Sequence, residues 1–435
     1  MRELRFPHSI GLLYSAFTHY CGFRVNSGEY KLMGLAPYGE PRFADLIRTR
    51  LLDLKDDGSF RLNLVYFGFL HGHSMTNAAF ARLFGAPHRQ PDAAVTQHHC
   101  DVARSIQVVT EEIVLRLART LHRETGEENL CLAGGVALNC VANSRLLREG
   151  PFKRIWIQPA AGDAGGALGA ALAYYFHQGA ARVVNGTSDA MQCALLGPSY
   201  SDDEIAHELA SHGLPAERLA NSALVARIAE RLADGDVVGL FHGRAEYGPR
   251  ALGGRSILAD ARSPEMQRRL NLKIKFRESF RPFAPIVLAE RATEWFNLAC
   301  ASPYMLLTAP VAAAQRLAVA SGATVEERLH ARRSTIPAVT HVDYSARVQT
   351  VDAVGHPHLH AILAAFAQRT QCPVLVNTSF NVRGEPPVCH PRDAIEGFLA
   401  TGMDCLAIGS FFVEKRALPP SLVNLSAAPR TFAPD

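Results

Sequence analysis

A cluster of cationic side chains between residues 243 and 285 is the part of this sequence that most clearly predicts chemistry. The cations of this cluster are Arg244, Arg250, Arg255, Lys273, Lys275, Arg277 and Arg281. Three of them flank the glycine and proline turns GPRALGGR and FRPFAP, which restrict the backbone that carries the guanidinium groups. Cations held in this way suit the recognition of phosphate and carboxylate groups.

Two interpretations of this cation cluster are open from residue types alone. A basic surface or a nucleic-acid-binding stripe would carry the same charges. The interleaved Phe276, Phe280, Phe283 and the apolar run 284–287 instead favour the wall of a partly buried pocket. The net charge is only +4, which argues against nucleic acid as a general partner.

A second polar group follows a buried strand near the C-terminus. The segment CPVLVNTSFNVRGEPP predicts a strand that ends in four hydrogen-bonding side chains, Asn377, Thr378, Ser379 and Asn381. Such clusters are common in plain turns, and they also suit a site for a triphosphate or for ribose hydroxyls. Both alternatives stay open at this point.

The segment THVDYSARVQTV adds charged side chains at strand-like spacing. His341, Asp343 and Arg347 occupy odd positions along it, and alternate residues of a strand share one face. We therefore expect these three side chains to lie on the same face.

Two glycine loops in the first half of the chain predict a nucleotide cleft. LAGGVALN places Gly134 and Gly135 between a strand and a helix N-terminus, where backbone N–H groups and the helix dipole favour an anion. Asn139 and Asn143 add side chains that can contact a base or a ribose. AGDAGG places Asp163 on a second such loop, where its carboxylate can reach a metal ion or a ligand. One such turn alone predicts only a tight turn, and the pair favours the cleft.

Glu29 and Lys31 form a charged pair in the segment SGEYKLMGLAPYG. Gly28 and Gly34 bound this short segment. By residue type alone, the pair predicts a surface ion pair.

Two pairs of histidines have the spacing or setting of metal ligands, but a simpler interpretation is preferred. His356 and His360 are four residues apart, and Pro357 predicts a helix start, so we expect a solvated capping turn. His98 and His99 precede a helix, and we expect them to cap it or to lie on the surface.

The order of strands and helices predicts an α/β domain followed by a mixed α+β domain. A helix over 101–125 ends at Gly126, and the sequence strand, glycine loop and helix then occurs twice. Loss of periodicity and gain of Gly, Ser and Asn predict a linker. The predicted boundaries are a first domain at 1–178, a linker at 179–200, a second domain at 201–416 and a tail at 417–435.

Composition predicts a globular cytoplasmic protein. The 435 residues are 48% hydrophobic, which is enough to bury a large core. Nine cysteines occur without a C-x-x-C pair, and we expect Cys21, Cys131, Cys140 and Cys405 to be buried, reduced thiols. The sequence has no run of membrane-spanning length and no signal-peptide core at its start.

Ordered motifs along nearly the whole chain resemble one family. They are GEYKLMGLAPYGEP, LCLAGGVALNCVAN, PAAGDAGGALGAAL, YGPRALGGRSIL, KFRESFRPFAP, PAVTHVD, ARVQTV and PVLVNTSFNVRGEPPV. The family is that of the O-carbamoyltransferases of antibiotic and nodulation-factor biosynthesis, of the cephalosporin, tobramycin and nodulation protein U types. The resemblance implies a partial actin-like ATPase domain followed by a YrdC-like domain.

The resemblance also implies an activity and a site. The YrdC-like domain would combine carbamoyl phosphate with ATP to give carbamoyl adenylate, and the first domain would pass the carbamoyl group to a hydroxyl of a small-molecule acceptor at an iron site. The residues implied for carbamoyl phosphate and the ATP phosphates are Arg250, Lys275, Arg281 and Arg347. Those implied for the nucleotide are Asn377, Ser379, Asn381, Gly134, Gly135, Asn139, Glu29 and Lys31, with Asp163 on the metal. The implied cofactors are ATP, Mg²⁺ and Fe²⁺.

One departure from the family concerns the metal. Family members carry about half a domain more before the segment PHSIGLLYSAFTHYCGF, including a His-x-x-x-His metal motif that this chain lacks. We therefore expect an upstream-encoded piece or a truncated chain. Two other functions remain: a threonylcarbamoyl transfer factor that acts on tRNA, and a non-catalytic subunit that binds nucleotide.

Overall fold

The computed structural model describes residues 2–182, 189–276, 280–319, 327 and 331–424. Arg277 of the cation cluster lies outside the described residues. The chain divides into two compact units, which we call the N-terminal unit (Met1–Gly162) and the C-terminal unit (Asp163–Ser321 and His330–Pro434).

The N-terminal unit is mainly helical. Its α-helices of more than one turn are α1 (Ile10–Tyr20), α2 (Glu29–Leu35), α3 (Ala78–Phe84), α4 (Gln97–Thr125) and α5 (Cys140–Glu149). Shorter helical segments are Ala36–Tyr38, Ala44–Leu46, Ile47–Leu51, Leu64–Tyr66 and Gly135–Leu138. Its strands are β1 (Leu52–Leu54) and β2 (Phe60–Leu62), which are antiparallel, and β3 (Asn129–Leu132) and β4 (Arg154–Ile157), which are parallel.

Helix α4 confirms the helix predicted over 101–125. Its apolar residues at helical spacing, among them Val102, Ile106 and Val109, are fully buried. The helix ends at Gly126, whose φ of 69° is left-handed, a conformation that glycine adopts without strain. His99 caps the start of the helix as expected, since its Nδ1 accepts a hydrogen bond from the Thr96 N–H at 3.1 Å.

The β3–β4 pair has one covered face and one open face. Leu130 and Ile155 pack in a core with Phe152 and other apolar side chains, whereas Cys131 and Trp156 are exposed on the opposite face. Cys131 is therefore exposed, and the prediction that it is buried was wrong. The cause is strand alternation, because neighbouring residues of β3 face opposite sides.

The C-terminal unit is a mixed α/β structure. Its α-helices are α6 (Ala164–His177), α7 (Asp202–Ser211), α8 (Asn221–Ala233), α9 (Met266–Leu270), α10 (Pro357–Thr370), α11 (Pro391–Ala400) and α12 (Pro420–Asn424). Shorter helical segments are Gln192–Ala194, Asn271–Lys275, Ala289–Arg291, Ala292–Trp295, Ala313–Gln315, Pro337–Val339 and Lys415–Ala417.

Most strands of this unit form one sheet. The strands are β5 (Glu217–Arg218), β6 (Val238–Phe241), β7 (Arg255–Asp260), β8 (Ala284–Leu288), β9 (Thr308–Pro310), β10 (Ser345–Arg347), β11 (Gln349–Val351), β12 (Val374–Ser379), β13 (Cys405–Ile408) and β14 (Phe411–Glu414). In the described part of the chain, eight of them pair in the order β11-β8-β12-β7-β6-β13-β14-β5, which we call the large sheet. The pairs β11–β8 and β6–β13 are parallel and the others antiparallel.

Helices α8 and α10 pack on each other and on the large sheet, whose central strands are buried throughout. The predicted mixture of α and β structure is confirmed, whereas the actin-like and YrdC-like assignments stay predictions. Among the described residues, no helix combines the length and apolar character needed to cross a bilayer.

Candidate functional site

The large sheet brings the predicted site residues of the C-terminal unit to one edge. Strands β6 and β12 end at this edge and strands β7, β8 and β11 begin there, because Ser379 pairs with Ser256 and Asn377 pairs with Ala284. The segments at this edge carry Arg250, Arg281, Arg347, Asn377, Ser379 and Asn381. Strand pairing thus brings together site residues that lie as far apart in the sequence as positions 250 and 381.

Lys275 reaches the turn that follows β12. Its side chain is 3% exposed, and its Nζ donates to Ser379 Oγ at 3.2 Å, to the Asn381 carbonyl oxygen at 2.8 Å and to Asn381 Oδ1 at 2.7 Å. Ser379 Oγ also donates to Asn381 Oδ1 at 2.6 Å. One ammonium charge and two polar side chains therefore share a single small region.

Asn377 connects this turn to the loop that carries Arg250. Its Nδ2 donates to the Ala251 carbonyl oxygen at 3.0 Å and to Gln349 Oε1 at 2.9 Å. Gln349 Nε2 in turn donates to the Leu252 carbonyl oxygen at 2.8 Å. Gln349 was not among the predicted site residues, although its position two residues after Arg347 was an available signal.

The three predicted arginines of this site are half-buried. Arg281 lies three residues before β8, and its carbonyl oxygen accepts hydrogen bonds from Gln267 Nε2 and Asn271 Nδ2 at 3.3 and 3.4 Å. Arg347 ends β10, where it pairs with Thr308. Each of these side chains starts from a backbone that strands or loop hydrogen bonds hold in place.

Other cations of the cluster differ from this group. Arg255 is 1% exposed, and its guanidinium donates to backbone carbonyl oxygens and stacks 3.6 Å from the Phe241 ring centroid. These contacts make Arg255 a structural residue. Arg244 and Lys273 are exposed, so the cluster consists of cations with different roles.

The predicted aromatic wall is only partly present. Phe283 is 3% exposed and belongs to the core, but Phe276 is 51% exposed. Phe276 has a φ of 48° at the end of the helical segment Asn271–Lys275, and this left-handed turn separates it from the buried Lys275. Phe276 is thus an exposed residue, and its place in a pocket wall stays a prediction.

The strand predicted through THVD was also wrong. His341, Asp343 and Tyr344 form a turn, in which the His341 N–H donates to the Ser345 carbonyl oxygen at 2.9 Å and Tyr344 has a φ of 63°. Only Arg347 lies on a strand. His341 and Asp343 therefore do not share a strand face with it.

Three histidines of the C-terminal unit, His242, His356 and His358, form a cluster next to the end of β6. The His242 and His358 rings stack at 3.6 Å between centroids. His356 is the residue before α10, as Pro357 predicted, but it is only 6% exposed, so the expected solvated turn was wrong. Within the described ranges, the Nε2 atoms of His356 and His358 are buried without a hydrogen-bond partner.

Acid should destabilise the protein through this histidine cluster. Burial lowers the pKa of His356 to about 4 and that of His358 to about 3, and the neighbouring His242 adds to both shifts. In the unfolded chain both titrate near pH 6.5, so their stabilisation is complete above that pH and is lost as the pH falls toward 4. Between pH 7 and pH 5 we expect each to lower the free energy of unfolding by about 1–2 kcal/mol.

Urea unfolding at both pH values measures this loss. His356→Asn should reduce the pH-dependent loss by its own share, while His207→Asn, which changes an exposed histidine of α7, should leave it unchanged. An equal loss in both variants would show that the cluster is not responsible.

Within the N-terminal unit, the first predicted glycine loop contacts Ala161, where the second begins. The Gly134 N–H donates to the Ala161 carbonyl oxygen at 2.8 Å. Gly134 has a φ of 95°, and a Cβ atom at Gly134 or Gly135 would meet open space. The loop therefore requires glycine for its conformation at Gly134 and leaves room above both residues.

Asn139 is already engaged within the N-terminal unit. Its Oδ1 accepts from the Ala142 N–H at 3.0 Å as the cap of α5, and its amide exchanges hydrogen bonds with Gln107 at 3.0 and 3.1 Å. Gln107 also bonds Tyr14 and Glu111, and burial raises the pKa of Tyr14 well above its usual value. Asn139 is thus part of a buried polar network that the sequence analysis missed.

Glu29 and Lys31 do not form a surface ion pair. Lys31 is 1% exposed. Glu29 Oε1 accepts from Ser15 Oγ at 2.7 Å and from the Asn26 N–H at 3.0 Å, and so joins α2 to α1. Desolvating an ammonium group costs free energy. Lys31 is therefore a buried charged residue, and the predicted surface position was wrong.

Asp163 lies at the start of α6 and is exposed. Its side chain makes no capping hydrogen bond to the helix. In the part of the chain that the structure describes, no group of three His, Cys, Asp or Glu side chains has a metal-binding arrangement. The residues present around Asp163 therefore do not fit an iron centre.

Comparison with known proteins shows which family the chain belongs to. The carbamoyltransferase C-terminus model matches residues 229–415, which contain the whole sheet-edge site, and the carbamoyltransferase N-terminus model matches residues 1–172. The chain belongs to the carbamoyltransferase family.

Individual relatives agree with this family. The chain is 56% identical over 426 residues to an uncharacterised protein of Synechocystis, with 96% of this chain and 69% of the relative covered. It is 38% identical over 431 residues to nodulation protein NolO of Bradyrhizobium diazoefficiens, with 98% and 72% covered. It is 39% identical over 421 residues to nodulation protein NolNO of Sinorhizobium fredii, with 95% and 57% covered. The chain thus spans between 57% and 72% of the length of these relatives.

Proposed function

We propose that this chain converts carbamoyl phosphate, ATP and water into carbamoyl adenylate, pyrophosphate and inorganic phosphate. ATP enters as its Mg²⁺ complex. The observation that carries the proposal is the convergence of Lys275, Ser379 and Asn381 on one sheet edge with the segments that bear Arg250, Arg281 and Arg347. Carbamoyl phosphate is a small dianion that decomposes in water. Several cations held by a stiff backbone would bind it and limit its breakdown.

Charge stabilisation is the main contribution of these residues to the reaction. The cations would bind the phosphate groups, and Ser379 and Asn381 would donate or accept hydrogen bonds at the nucleotide. As pyrophosphate and phosphate leave, negative charge grows on their oxygens, and donors already in place stabilise it without reorganisation. The loop of Gly134 and Gly135 is proposed for the adenylate, since its backbone is unobstructed there.

The carbamoyl group is proposed to pass from the adenylate to a hydroxyl of a small molecule, with release of AMP. No step is assigned to iron, because the surroundings of Asp163 do not fit it. We propose that a further polypeptide segment takes part in this transfer at the N-terminal unit. The exposed face of the parallel strands β3 and β4 supports this, because parallel strands are usually covered on both faces.

Pyrophosphate release tests the proposal. The purified chain with ATP and Mg²⁺ should release pyrophosphate when carbamoyl phosphate is added. Threonine with bicarbonate, the substrates of the tRNA-modifying alternative, should give no release. Release with threonine and bicarbonate only would favour that alternative, and binding of ATP without any release would favour a non-catalytic subunit.

A further inference from the structure

The loop between β6 and β7, residues 242–254, presents Arg250 near its centre. We call it the Arg250 loop. Its two ends are adjacent because β6 and β7 are antiparallel neighbours. A loop of this length has many conformations unless its own groups restrict it, so the position of Arg250 depends on what holds the loop.

One carboxylate oxygen closes the Arg250 loop. Glu246 Oε1 accepts hydrogen bonds from the backbone N–H groups of Leu252 at 2.7 Å, Gly254 at 2.8 Å and Arg255 at 3.2 Å. Glu246 precedes Arg250 by four residues, and the groups that it binds follow Arg250. The carboxylate therefore ties the outgoing limb of the loop to the returning limb.

The returning limb is held from its other side by residues of the proposed site. The Leu252 N–H is bound by Glu246, whereas the Leu252 carbonyl oxygen is bound by Gln349, and the neighbouring Ala251 carbonyl oxygen by Asn377. Residues 251 and 252, directly after Arg250, are thus fixed between Glu246 and two side chains that reach from β11 and β12.

We infer that Glu246 is a positioning residue that holds the guanidinium of Arg250 in place for carbamoyl phosphate. The inference rests on the proposed function. Without the carboxylate, three N–H groups lose their acceptor and the loop gains conformations that must be lost again when the ligand binds. Glutamine retains an acceptor oxygen at the same position, although without the charge.

Calorimetric titration with carbamoyl phosphate tests this inference in a double-mutant cycle. Glu246→Ala should weaken binding about tenfold, and Glu246→Gln should restore most of the affinity. In an Arg250→Ala background, Glu246→Ala should have little further effect, because the residue through which it acts is gone. Glu265→Ala, which removes an exposed glutamate just before α9, is the matched control, and thermal unfolding checks that each variant is folded.

Every outcome of this cycle either supports or overturns the positioning role of Glu246. Tenfold weakening by Glu246→Ala in both backgrounds would show a general effect on the fold and would overturn the positioning role. Unchanged affinity in Glu246→Ala would also overturn it, while the proposed function would stand. Failure of the unaltered chain to bind carbamoyl phosphate would overturn the proposed function and this inference together.

Discussion

Lys275→Met should weaken binding of carbamoyl phosphate by about 30-fold or more, which corresponds to about 2 kcal/mol. Methionine retains most of the apolar stem of the buried side chain and removes only the ammonium. The ammonium contacts both Ser379 and Asn381, so its removal takes away a positive charge and also the group that organises the turn after β12. Isothermal titration calorimetry measures the change directly.

Two further variants separate these effects of Lys275. Ser379→Ala removes one contact of the ammonium and keeps the charge, so we expect a smaller loss. Lys273→Met removes an exposed lysine two residues away, and affinity should stay within about twofold, as for a solvated surface charge. Equal affinity in the Lys275 and Lys273 variants, both folded, would exclude Lys275 from the anion site.

Arg255→Ala should lower the free energy of unfolding by about 3 kcal/mol or more. The guanidinium donates to the carbonyl oxygens of Gly243 at 3.1 Å and Gly254 at 2.8 Å, and to that of Pro198 at 3.2 Å. Burial lowers the pKa of Arg255, although Glu246 opposes the shift. Alanine would leave these carbonyl groups without their donors and a cavity beside Phe241.

Arg244→Ala is the matched control for this prediction, since Arg244 lies in the loop that directly precedes Arg255 but is exposed. We expect it to change the free energy of unfolding by about 0.5 kcal/mol or less. Urea unfolding at neutral pH compares the two variants. A loss in Arg255→Ala no larger than in Arg244→Ala would contradict the structural role.

Local sequence signals predicted most of the elements that carry the site. Helical spacing and Gly126 gave both ends of α4 within a few residues, and the apolar run before Asn377 gave β12. The polar residues predicted at the end of this strand are also its last three residues: Asn377 is still buried, whereas Thr378 and Ser379 are partly exposed. These features depend on residues that are close in the sequence, so a single sequence is enough to predict them.

Properties that depend on distant contacts were not predictable in this way. The burial of Lys31 and His356, and the exposure of Cys131, are set by which elements pack around each residue. The network of Asn139 and Gln107 joins residues far apart in sequence. The spacing of residues in the sequence does not predict such contacts, because they form only when strands and helices pack together.

Following the carbamoyl carbon tests most directly whether the residues at this edge of the large sheet activate carbamoyl phosphate. The unaltered chain is incubated with ATP, Mg²⁺ and carbamoyl phosphate labelled at its carbon, and the products are separated. We expect label in a nucleotide adduct that yields AMP on hydrolysis, and loss of that adduct with Lys275→Met. Label that stays in carbamoyl phosphate or appears only as bicarbonate, in a chain that binds both substrates, would contradict it.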